Sequence, residues 1–442
     1  MLLQFSVENF LSFREPTVLS MLAAPGVSHP QHIVVSGPEN RGILRCSAIY
    51  GANASGKSNL IKALDTGIEL VRKGTRARDP LPARPHKLDP ACMTKPSRFE
   101  WEIAVSEKRF SYGFEITQTT VVSEWLYCIS GDQEQALFTR EKGEIKLGEG
   151  LSKTARSTFI EYVAEGTRPN QLFLTEASER NVVELTPVID SLCACRVVRP
   201  DIPFTSTVKL IETNPDLAAE FGLLLASMGT GIEKIEIRRF SEGIGVDLYE
   251  KNGSREEAAV LVAEMAKLAA SGLWHMEEKD GKTDVRVVMA VHRAIDGGEV
   301  PFTFYEESDG TKRLLQLAPA LSGVSGEESI TLYAIDELER SLHPLLTREF
   351  VSRFLAAENT RQLVFTTHDT NLLDLELLSS DAIWFTEKNP AGATNLYSLA
   401  EFKSDQLGAL GTQIEKGYLQ GRFGAIPFIG DPARLGWKNA AQ

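Results

Sequence analysis

The chain has 442 residues, long enough for two or three domains or for one large core with an inserted lobe. Its 43% hydrophobic and 24% charged residues are typical of a globular protein. Its 47 basic and 60 acidic residues give a net charge of −13, which argues against a protein coated in nucleic acid but leaves room for a local basic groove. The sequence has no apolar run long enough to span a membrane. Its five cysteines form no C-x-x-C pair, which argues against a zinc site. We therefore expect a cytoplasmic protein with reduced thiols.

The first predicted elements are two short strands in residues 1–20, on either side of Glu8-Asn9-Phe10-Leu11-Ser12-Phe13. A loop rich in Gly, Pro, Ser and His follows. The apolar run Cys46–Tyr50 then predicts a buried strand.

The next eight residues, Gly51-Ala52-Asn53-Ala54-Ser55-Gly56-Lys57-Ser58, have the spacing G-x-x-x-x-G-K-S of a phosphate-binding loop. A strand before them and a helical pattern from Asn59 disfavour a chance match in a Gly-rich turn. Backbone N–H groups of such a loop donate to phosphate oxygens. Lys57 reaches the β- and γ-phosphates, and the Ser58 hydroxyl is a ligand for Mg²⁺. Residues 51–58, the phosphate loop, therefore predict a site for nucleotide phosphates and Mg²⁺.

A basic segment follows the predicted helix, with Asp79 as its only acidic residue. Its cations are Arg72, Lys73, Arg76, Arg78, Arg84 and Lys87. Two interpretations stay open: a solvated loop whose cations complement a helix C-terminus, or a contact to a phosphate backbone or a partner.

Residues 98–129 alternate with period two and predict an antiparallel meander, and residues 137–147 predict one more hairpin. Residues 151–300 are less regular, although 255–270 has helical spacing and 232–237 reads as a strand. We expect an α/β head with an inserted lobe, and no coiled-coil arm because no heptad pattern persists. The expected parts are residues 1–150 as the N-terminal part of the head, 151–300 as a mainly helical lobe, and 301–442 as the C-terminal part.

An apolar strand from Ser329 to Ile335 ends in two carboxylates, Asp336 and Glu337. Asp336 suits Mg²⁺, directly or through water, and Glu337 suits orienting and polarising an attacking water. The pair is a weak signal alone, since many strands end in acidic residues, and a strong one downstream of a phosphate loop.

A second apolar strand, Leu363–Thr367, ends in His368. The helical pattern between the two strands makes a β-α-β unit, whose right-handed crossover puts His368 near Glu337 at the carboxyl edge of a parallel sheet. There the imidazole can contact a γ-phosphate. The alternative is a purely structural histidine.

Upstream, Ser308 can cap a helix that begins near Thr311, and Gly310 removes side-chain bulk at its start. A capped helix is the simpler interpretation. The functional one is a second phosphate-binding helix N-terminus, offered to the nucleotide of another subunit.

These motifs in this order resemble the ABC-type ATPase heads of the RecF/SMC branch. The chain is more closely similar to bacterial RecF-like ATPases of the abortive-infection and OLD (overcoming lysogenization defect) groups. The resemblance rests on Glu8–Phe13, Asn53, Glu307–Leu315, Asp336-Glu337 with Ser341–Pro344, Thr366–Asp369 and Gly417–Pro427.

The resemblance implies a P-loop NTPase fold of ABC-head type: a mixed parallel sheet, an antiparallel β lobe and an inserted helical lobe. It also implies a homodimer, or a higher oligomer, that sandwiches ATP and Mg²⁺. One protomer would hold ATP through Gly51, Asn53, Gly56, Lys57 and Ser58, and the other would close on the γ-phosphate with Ser308 and Gly310. The chain departs from ABC proteins in its Ser-Asp-Gly-Thr signature, and no glutamine-loop residue can be assigned.

The resemblance further implies ATP hydrolysis, with dimer closure as a switch. The first interpretation is the ATPase sensor subunit of an anti-phage system that controls a separate effector from the same operon. We expect a separate chain because only 74 residues follow His368, too few for the Toprim nuclease of OLD proteins. The alternative is a RecF-like repair ATPase that clamps duplex DNA. A nucleotide-binding scaffold without turnover is disfavoured, because Glu337 and His368 are both present.

Overall fold

The structure, a computed structural model, describes residues 1–25, 29–36, 41–105, 107–131, 133–200, 205–241, 274–279, 282–322, 330–402 and 414–427. It consists of two units. The first unit contains Met1–Val197, Thr331–Glu337 and Asn359–Gln442, and the second contains Val198–Ile330 and Leu338–Glu358. None of the described helices is both long and apolar enough to cross a membrane.

The strands of the described residues are β1 (Leu2–Glu8), β2 (Thr17–Ser20), β3 (Ile33–Ser36), β4 (Arg41–Leu44), β5 (Cys46–Gly51), β6 (Ser97–Val105), β7 (Lys108–Ile116), β8 (Val121–Ser130), β9 (Gln133–Glu141), β10 (Glu144–Leu147), β11 (Cys195–Val198), β12 (Ile232–Ser241), β13 (Trp274–Lys279), β14 (Lys282–Arg293), β15 (Glu299–Thr303), β16 (Leu332–Ile335), β17 (Gln362–Thr366), β18 (Ile383–Lys388) and β19 (Thr394–Ser398). The helices are α1 (Lys57–Lys73), α2 (Glu149–Ser152), α3 (Ser157–Gly166), α4 (Phe173–Glu179), α5 (Thr186–Cys193), α6 (Thr205–Thr213), α7 (Pro215–Ser227), α8 (Asp309–Leu321), α9 (Pro344–Ala356) and α10 (Ile414–Leu419).

A six-stranded sheet of the first unit carries the strand ends that the sequence singles out. Its order is β11-β16-β17-β5-β18-β19, and β17 is parallel to β16 on one side and to β5 on the other. Strands β5, β16 and β17 are buried along their whole length, as parallel strands covered on both faces are. The carboxyl ends of these three strands therefore lie side by side at one edge, which confirms the predicted parallel arrangement.

Besides the two-stranded pair of β3 and β4, the first unit contains a seven-stranded antiparallel sheet, in the order β10-β9-β8-β7-β6-β1-β2. It confirms the meander over 98–129 and the hairpin over 137–147. Alternate residues of β6 are buried, and Phe99, Trp101 and Phe114 pack ring against ring with centroids 5.4–6.4 Å apart. The fold is therefore α/β, with a mixed parallel sheet and an antiparallel β lobe, as expected.

The six-stranded and seven-stranded sheets of the first unit are joined through the buried side chain of Gln362, the first residue of β17. Its Oε1 accepts the Leu2 N–H at 2.7 Å, and its Nε2 donates to the carbonyls of Leu2 and Leu44 at 2.8 and 3.1 Å. The start of the chain is thereby fixed to the strand that leads to His368.

The boundary between the units differs from the expected boundary near residue 150, because residues 151–197 belong to the first unit. The physical reason is a buried anchor in the antiparallel sheet. The Glu124 carboxylate accepts the N–H groups of Phe173 and Leu174 at 2.7 and 3.0 Å, and Arg140 Nη1 donates to the Gln171 carbonyl at 2.7 Å. Burial raises the pKa of Glu124, although these N–H donors and Arg140 act in the opposite direction.

The second unit combines helices with an antiparallel sheet, in which β14 pairs with β12, β13 and β15. Helices α7 and α8 share an apolar core with the sheet, whose fully buried members include Leu217, Phe221, Val288 and Leu315. We expected a mainly helical lobe, whereas its described part is mixed. The strand predicted over 232–237 is present in β12, and the helix predicted over 255–270 lies outside the described residues.

Candidate functional site

The phosphate loop connects β5 to α1, and its two glycines occupy positions that no other residue fits. Gly51 has φ 154° and Gly56 has φ 119°. A Cβ atom would lie 2.4 Å from the Thr386 hydroxyl oxygen at Gly51, and 2.2 Å from that of Thr394 at Gly56. Gly56 is the N-cap of α1 and supplies no capping side chain, which suits a helix N-terminus that binds phosphate.

Lys57 lies across the phosphate loop rather than in solvent. Its side chain is 5% exposed, and its Nζ donates to the carbonyls of Gly51 and Ala52 at 2.6 and 3.1 Å. Asn53 is exposed in the loop, and Ser58 is half-buried in the first turn of α1. The predicted phosphate-binding residues are thus contiguous around the start of α1.

Two buried threonines on β18 and β19 brace the phosphate loop, and sequence reasoning missed both. The Thr386 hydroxyl is 2.6 Å from the Ser55 hydroxyl, and Thr394 Oγ1 donates to the Ser55 carbonyl at 2.7 Å. Thr394 also contacts the Ser12 hydroxyl, which accepts from Asn59 Nδ2 at 2.8 Å. These bonds fix the loop from strands more than 300 residues away in the chain, so no local pattern could have shown them.

Asp336 and Glu337 follow β16 at the same edge of the sheet. Asp336 is 4% exposed, and its Oδ1 accepts the Thr366 hydroxyl at 2.6 Å. The Glu337 N–H donates to the same hydroxyl oxygen at 2.8 Å, and Glu337 has φ 49°. The Asp336 carboxylate and the Ser58 hydroxyl are hard oxygen donors of the kind Mg²⁺ prefers, so the donor set fits this ion.

His368 follows β17, the strand between those that lead to Asp336 and to the phosphate loop, and its side chain is exposed. The Thr367 N–H donates to the Ile49 carbonyl at 3.1 Å, and the Asp369 N–H donates to the Thr367 hydroxyl at 2.9 Å. The structure thus brings His368 to the edge shared by the other strand-end residues.

The late stretch Gly417–Pro427 packs on β18 close to this edge. The ring of Tyr418 stacks on Phe385 with centroids 5.5 Å apart. One turn earlier, the Glu415 carboxylate accepts the hydroxyl of Thr370 at 2.6 Å. Helix α10, which contains both Glu415 and Tyr418, therefore contacts β18 and the loop that follows His368.

The stretch Glu8–Phe13 helps to form a cleft of about 640 Å³ beside the first turn of α1. Asn9 Nδ2 donates to the Cys92 carbonyl at 2.9 Å, and the Leu11 N–H donates to the Arg84 carbonyl at 2.8 Å, so this stretch positions the end of the basic segment. The cleft is lined by Leu11, Ser12, Asn59, Ala83, Arg84, Pro85, His86, Lys87, Leu88, Met93, Gln118, Lys388 and Gly392. Its three exposed cations come from two separate parts of the chain, and sequence reasoning did not connect them.

Ser308 and Gly310 lie in the second unit at the start of α8. Ser308 is the N-cap, and its hydroxyl accepts the Thr311 N–H at 3.1 Å, which confirms the predicted cap. A Cβ atom on Gly310 would lie 2.8 Å from the Ser341 carbonyl oxygen. The preceding Glu307 is 2.6 Å from His292 Nε2, so both sides of the cap are fixed.

Comparisons with known proteins extend these observations. The sequence model of the family described as "AAA domain, putative AbiEii toxin, Type IV TA system" matches residues 46–154 and 211–374, whereas a comparison with curated proteins finds no match. Among solved structures, the chain is similar to an SMC head bound to the C-terminal winged-helix domain of ScpA, at 12% identity and a TM-score of 0.43 over 92% of this chain and 99% of that one. It is also similar to the SMC head domain from Thermotoga maritima, at 12% identity and a TM-score of 0.36 over 90% and 98%.

The residues matched by the family model make up more than half of the chain. They contain all the predicted site residues: Gly51, Asn53, Gly56, Lys57, Ser58, Ser308, Gly310, Asp336, Glu337 and His368. The chain therefore belongs to the family described as "AAA domain, putative AbiEii toxin, Type IV TA system".

Proposed function

We propose that this protein hydrolyses ATP to ADP and phosphate. The observation that carries the proposal is the order of three strands in one parallel sheet. The phosphate loop follows β5, His368 follows the neighbouring β17, and Asp336 and Glu337 follow β16 on its other side. In open α/β sheets, ligands bind outside the carboxyl ends of the strands.

ATP binding would begin at the phosphate loop. The N–H groups around Gly56 donate to phosphate oxygens, and the Lys57 ammonium exchanges the carbonyls of Gly51 and Ala52 for phosphate. The base and sugar would occupy the cleft beside α1, where Arg84, Lys87 and Lys388 add positive charge next to a polyanion. The placement of the base and sugar in this cleft is supported by Asn59, which both lines the cleft and lies in the first turn of α1, next to the phosphate loop.

Hydrolysis would use the strand-end residues. Ser58 and Asp336 would hold Mg²⁺, which offsets the negative charge of the β- and γ-phosphates. The Glu337 carboxylate would orient a water molecule and accept its proton during attack. The His368 imidazole would donate a hydrogen bond to the γ-phosphate and so hold it in line with that water.

Two copies of the chain would complete each site. Ser308 and Gly310 of one protomer would close on the γ-phosphate bound by the other. The exposed Ser308 side chain and the close approach of Gly310 to Ser341 support a helix start with little side-chain bulk. ATP would then favour the closed dimer, or a larger oligomer built from it, and hydrolysis would reopen it.

The switch would control a separate effector, which makes this chain the ATPase sensor subunit of an anti-phage, abortive-infection system. The sensor role is supported by the family, whose description refers to an AbiEii toxin and a toxin–antitoxin system. It is also supported by the resemblance to OLD-related ATPases. The alternative, a RecF-like ATPase that clamps duplex DNA, is favoured by one observation: Arg76, Arg78, Arg84 and Lys87 are all exposed, as phosphate-backbone contacts require.

Nucleotide binding and turnover of the purified protein test the ATPase. Lys57→Ala should abolish ATP binding, since the phosphates lose their main cation, whereas Lys73→Ala at the far end of α1 should bind normally. Glu337→Gln should bind ATP but hydrolyse it roughly 10²–10⁴-fold more slowly, the usual scale for a positioned base. Equal ATP affinity in the two lysine variants would refute the phosphate-loop assignment.

Purification of the chain with its operon neighbours, with ATP present, tests the partner. Recovery of a nuclease-like or toxin-like chain in a nucleotide-dependent complex would support the sensor role. Recovery of the chain alone, with ATP-dependent retention of duplex DNA, would support the clamp.

A further inference from the structure

The Thr366 hydroxyl contacts both acidic residues of the neighbouring strand end. Thr366 is the last residue of β17 and is fully buried. Its oxygen lies 2.6 Å from Asp336 Oδ1 and 2.8 Å from the backbone nitrogen of Glu337. A single oxygen atom of β17, the strand that leads to His368, thus contacts the carboxylate of Asp336 and the backbone of Glu337.

The direction of both hydrogen bonds follows from the chemistry of the groups. A hydroxyl has one proton and two acceptor lone pairs, whereas an ionised carboxylate only accepts. The Thr366 proton therefore points to Asp336, and the lone pairs accept the Glu337 N–H. A hydrogen bond from a hydroxyl to a carboxylate is charge-assisted and short, and it fixes the plane of the Asp336 carboxylate.

Glu337 needs such an anchor because its backbone has φ 49°, in the left-handed region that residues other than glycine rarely adopt. A conformation of this kind persists only where the surrounding structure holds it. The bond from the Glu337 N–H to Thr366 joins this backbone to the interior of the sheet. The direction in which the Glu337 side chain leaves the strand is thereby set from the neighbouring strand.

We propose that Thr366 is a positioning residue for the reaction: its hydroxyl holds the Asp336 carboxylate and the Glu337 backbone in the geometry used for hydrolysis. Because His368 lies two residues further along the same chain, a shift of the histidine would be transmitted to both acidic residues through this hydroxyl. The catalytic consequence rests on the proposed ATPase function, whereas the two contacts do not.

Kinetics of two Thr366 variants test the catalytic consequence. Thr366→Val keeps the shape of the side chain and removes the hydroxyl, and Thr366→Ser keeps the hydroxyl. For Thr366→Val we expect kcat to fall roughly 10–100-fold, the usual cost of removing a partner of a metal ligand, with the KM for ATP unchanged. Thr366→Ser should restore most of kcat. Thr175→Val is the matched control, since Thr175 is 2% exposed and its hydroxyl donates to the Val71 carbonyl at 2.8 Å.

Hydrogen exchange of the nucleotide-free protein tests the positioning itself, without any turnover. Deuterium uptake by a peptide that covers Leu332–Leu338 should be faster in Thr366→Val than in the wild type, and unchanged in Thr175→Val and Thr366→Ser. Unchanged uptake in Thr366→Val would overturn the inference, whatever the kinetics. A Thr366→Ser variant as slow as Thr366→Val would also overturn it. A wild type that binds no ATP would refute the proposed ATPase, and the exchange experiment would still decide whether Thr366 holds Glu337.

Discussion

Replacing the buried Gln362 by methionine removes two hydrogen bonds that join the six-stranded sheet to β1 of the seven-stranded sheet, and a third to β4, while keeping an unbranched side chain. The amide makes three bonds to Leu2 and Leu44, and all three residues are at most 4% exposed. At a net value of roughly 1 kcal/mol per hydrogen bond, the loss comes to about 3 kcal/mol of unfolding free energy. That corresponds to a change of roughly 10²-fold in the ratio of folded to unfolded protein.

Urea unfolding of the nucleotide-free protein, followed by tryptophan fluorescence, measures this loss. The buried Trp101, one of five tryptophans that contribute to the signal, lies in β6, next to β1 in the antiparallel sheet. Gln135→Met is the control, because Gln135 is exposed on β9, and its midpoint should equal that of the wild type. If Gln362→Met unfolded at the same urea concentration as the control, the three hydrogen bonds would make no net contribution and the reasoning would be refuted.

Two further predictions concern the dimer and the pH dependence. Lys57→Ala and Ser308→Arg should each be inactive, but an equal mixture should recover about a quarter of wild-type ATP turnover, because half the dimers are mixed and each mixed dimer keeps one intact site; no recovery in chains shown to exchange subunits would contradict the sandwich. Burial raises the pKa of Glu124 above its ordinary value of 4.5, so the folded protein binds this proton more tightly than the unfolded one. Its contribution to stability is therefore complete below pH 4.5 and declines as the pH rises. The urea midpoint of Glu124→Gln should accordingly rise relative to the wild type as the pH increases from 4.5 to neutrality, and the opposite trend would contradict this assignment.

The strand-end residues could be located from the sequence because each lies within two residues of the end of its strand. Asp336 and His368 end apolar runs, and the phosphate loop has a fixed spacing of glycines and lysine. Parallel pairing of β16, β17 and β5 then brings these ends to one edge. Local pattern and sheet geometry were sufficient here.

The supports of these residues could not be predicted, because they depend on pairs that are distant in the chain. Thr386 and Thr394 resemble any other strand threonines until β18 and β19 place them against Ser55. The boundary between the two units could not be predicted for the same reason. In the sequence, Glu124 is one of many acidic residues in predicted strands. Only its buried hydrogen bonds to Phe173 and Leu174 show why the helices after the antiparallel sheet belong to the first unit.

The position of β5 between β17 and β18 has a consequence for the order in which the protein matures on the ribosome. The phosphate loop is synthesised early, but its neighbours in the sheet, and the threonines that brace it, emerge more than 300 residues later. At about 5–20 residues per second, roughly 20–70 s separate synthesis of Gly56 from that of Thr394. The strands of the antiparallel lobe end at Leu147, and the partners of its buried Glu124, Phe173 and Leu174, follow soon after, so the lobe can fold during this interval. A nascent chain would therefore acquire its β lobe well before it could bind a nucleotide, and an interrupted chain would leave the ribosome without a finished phosphate site.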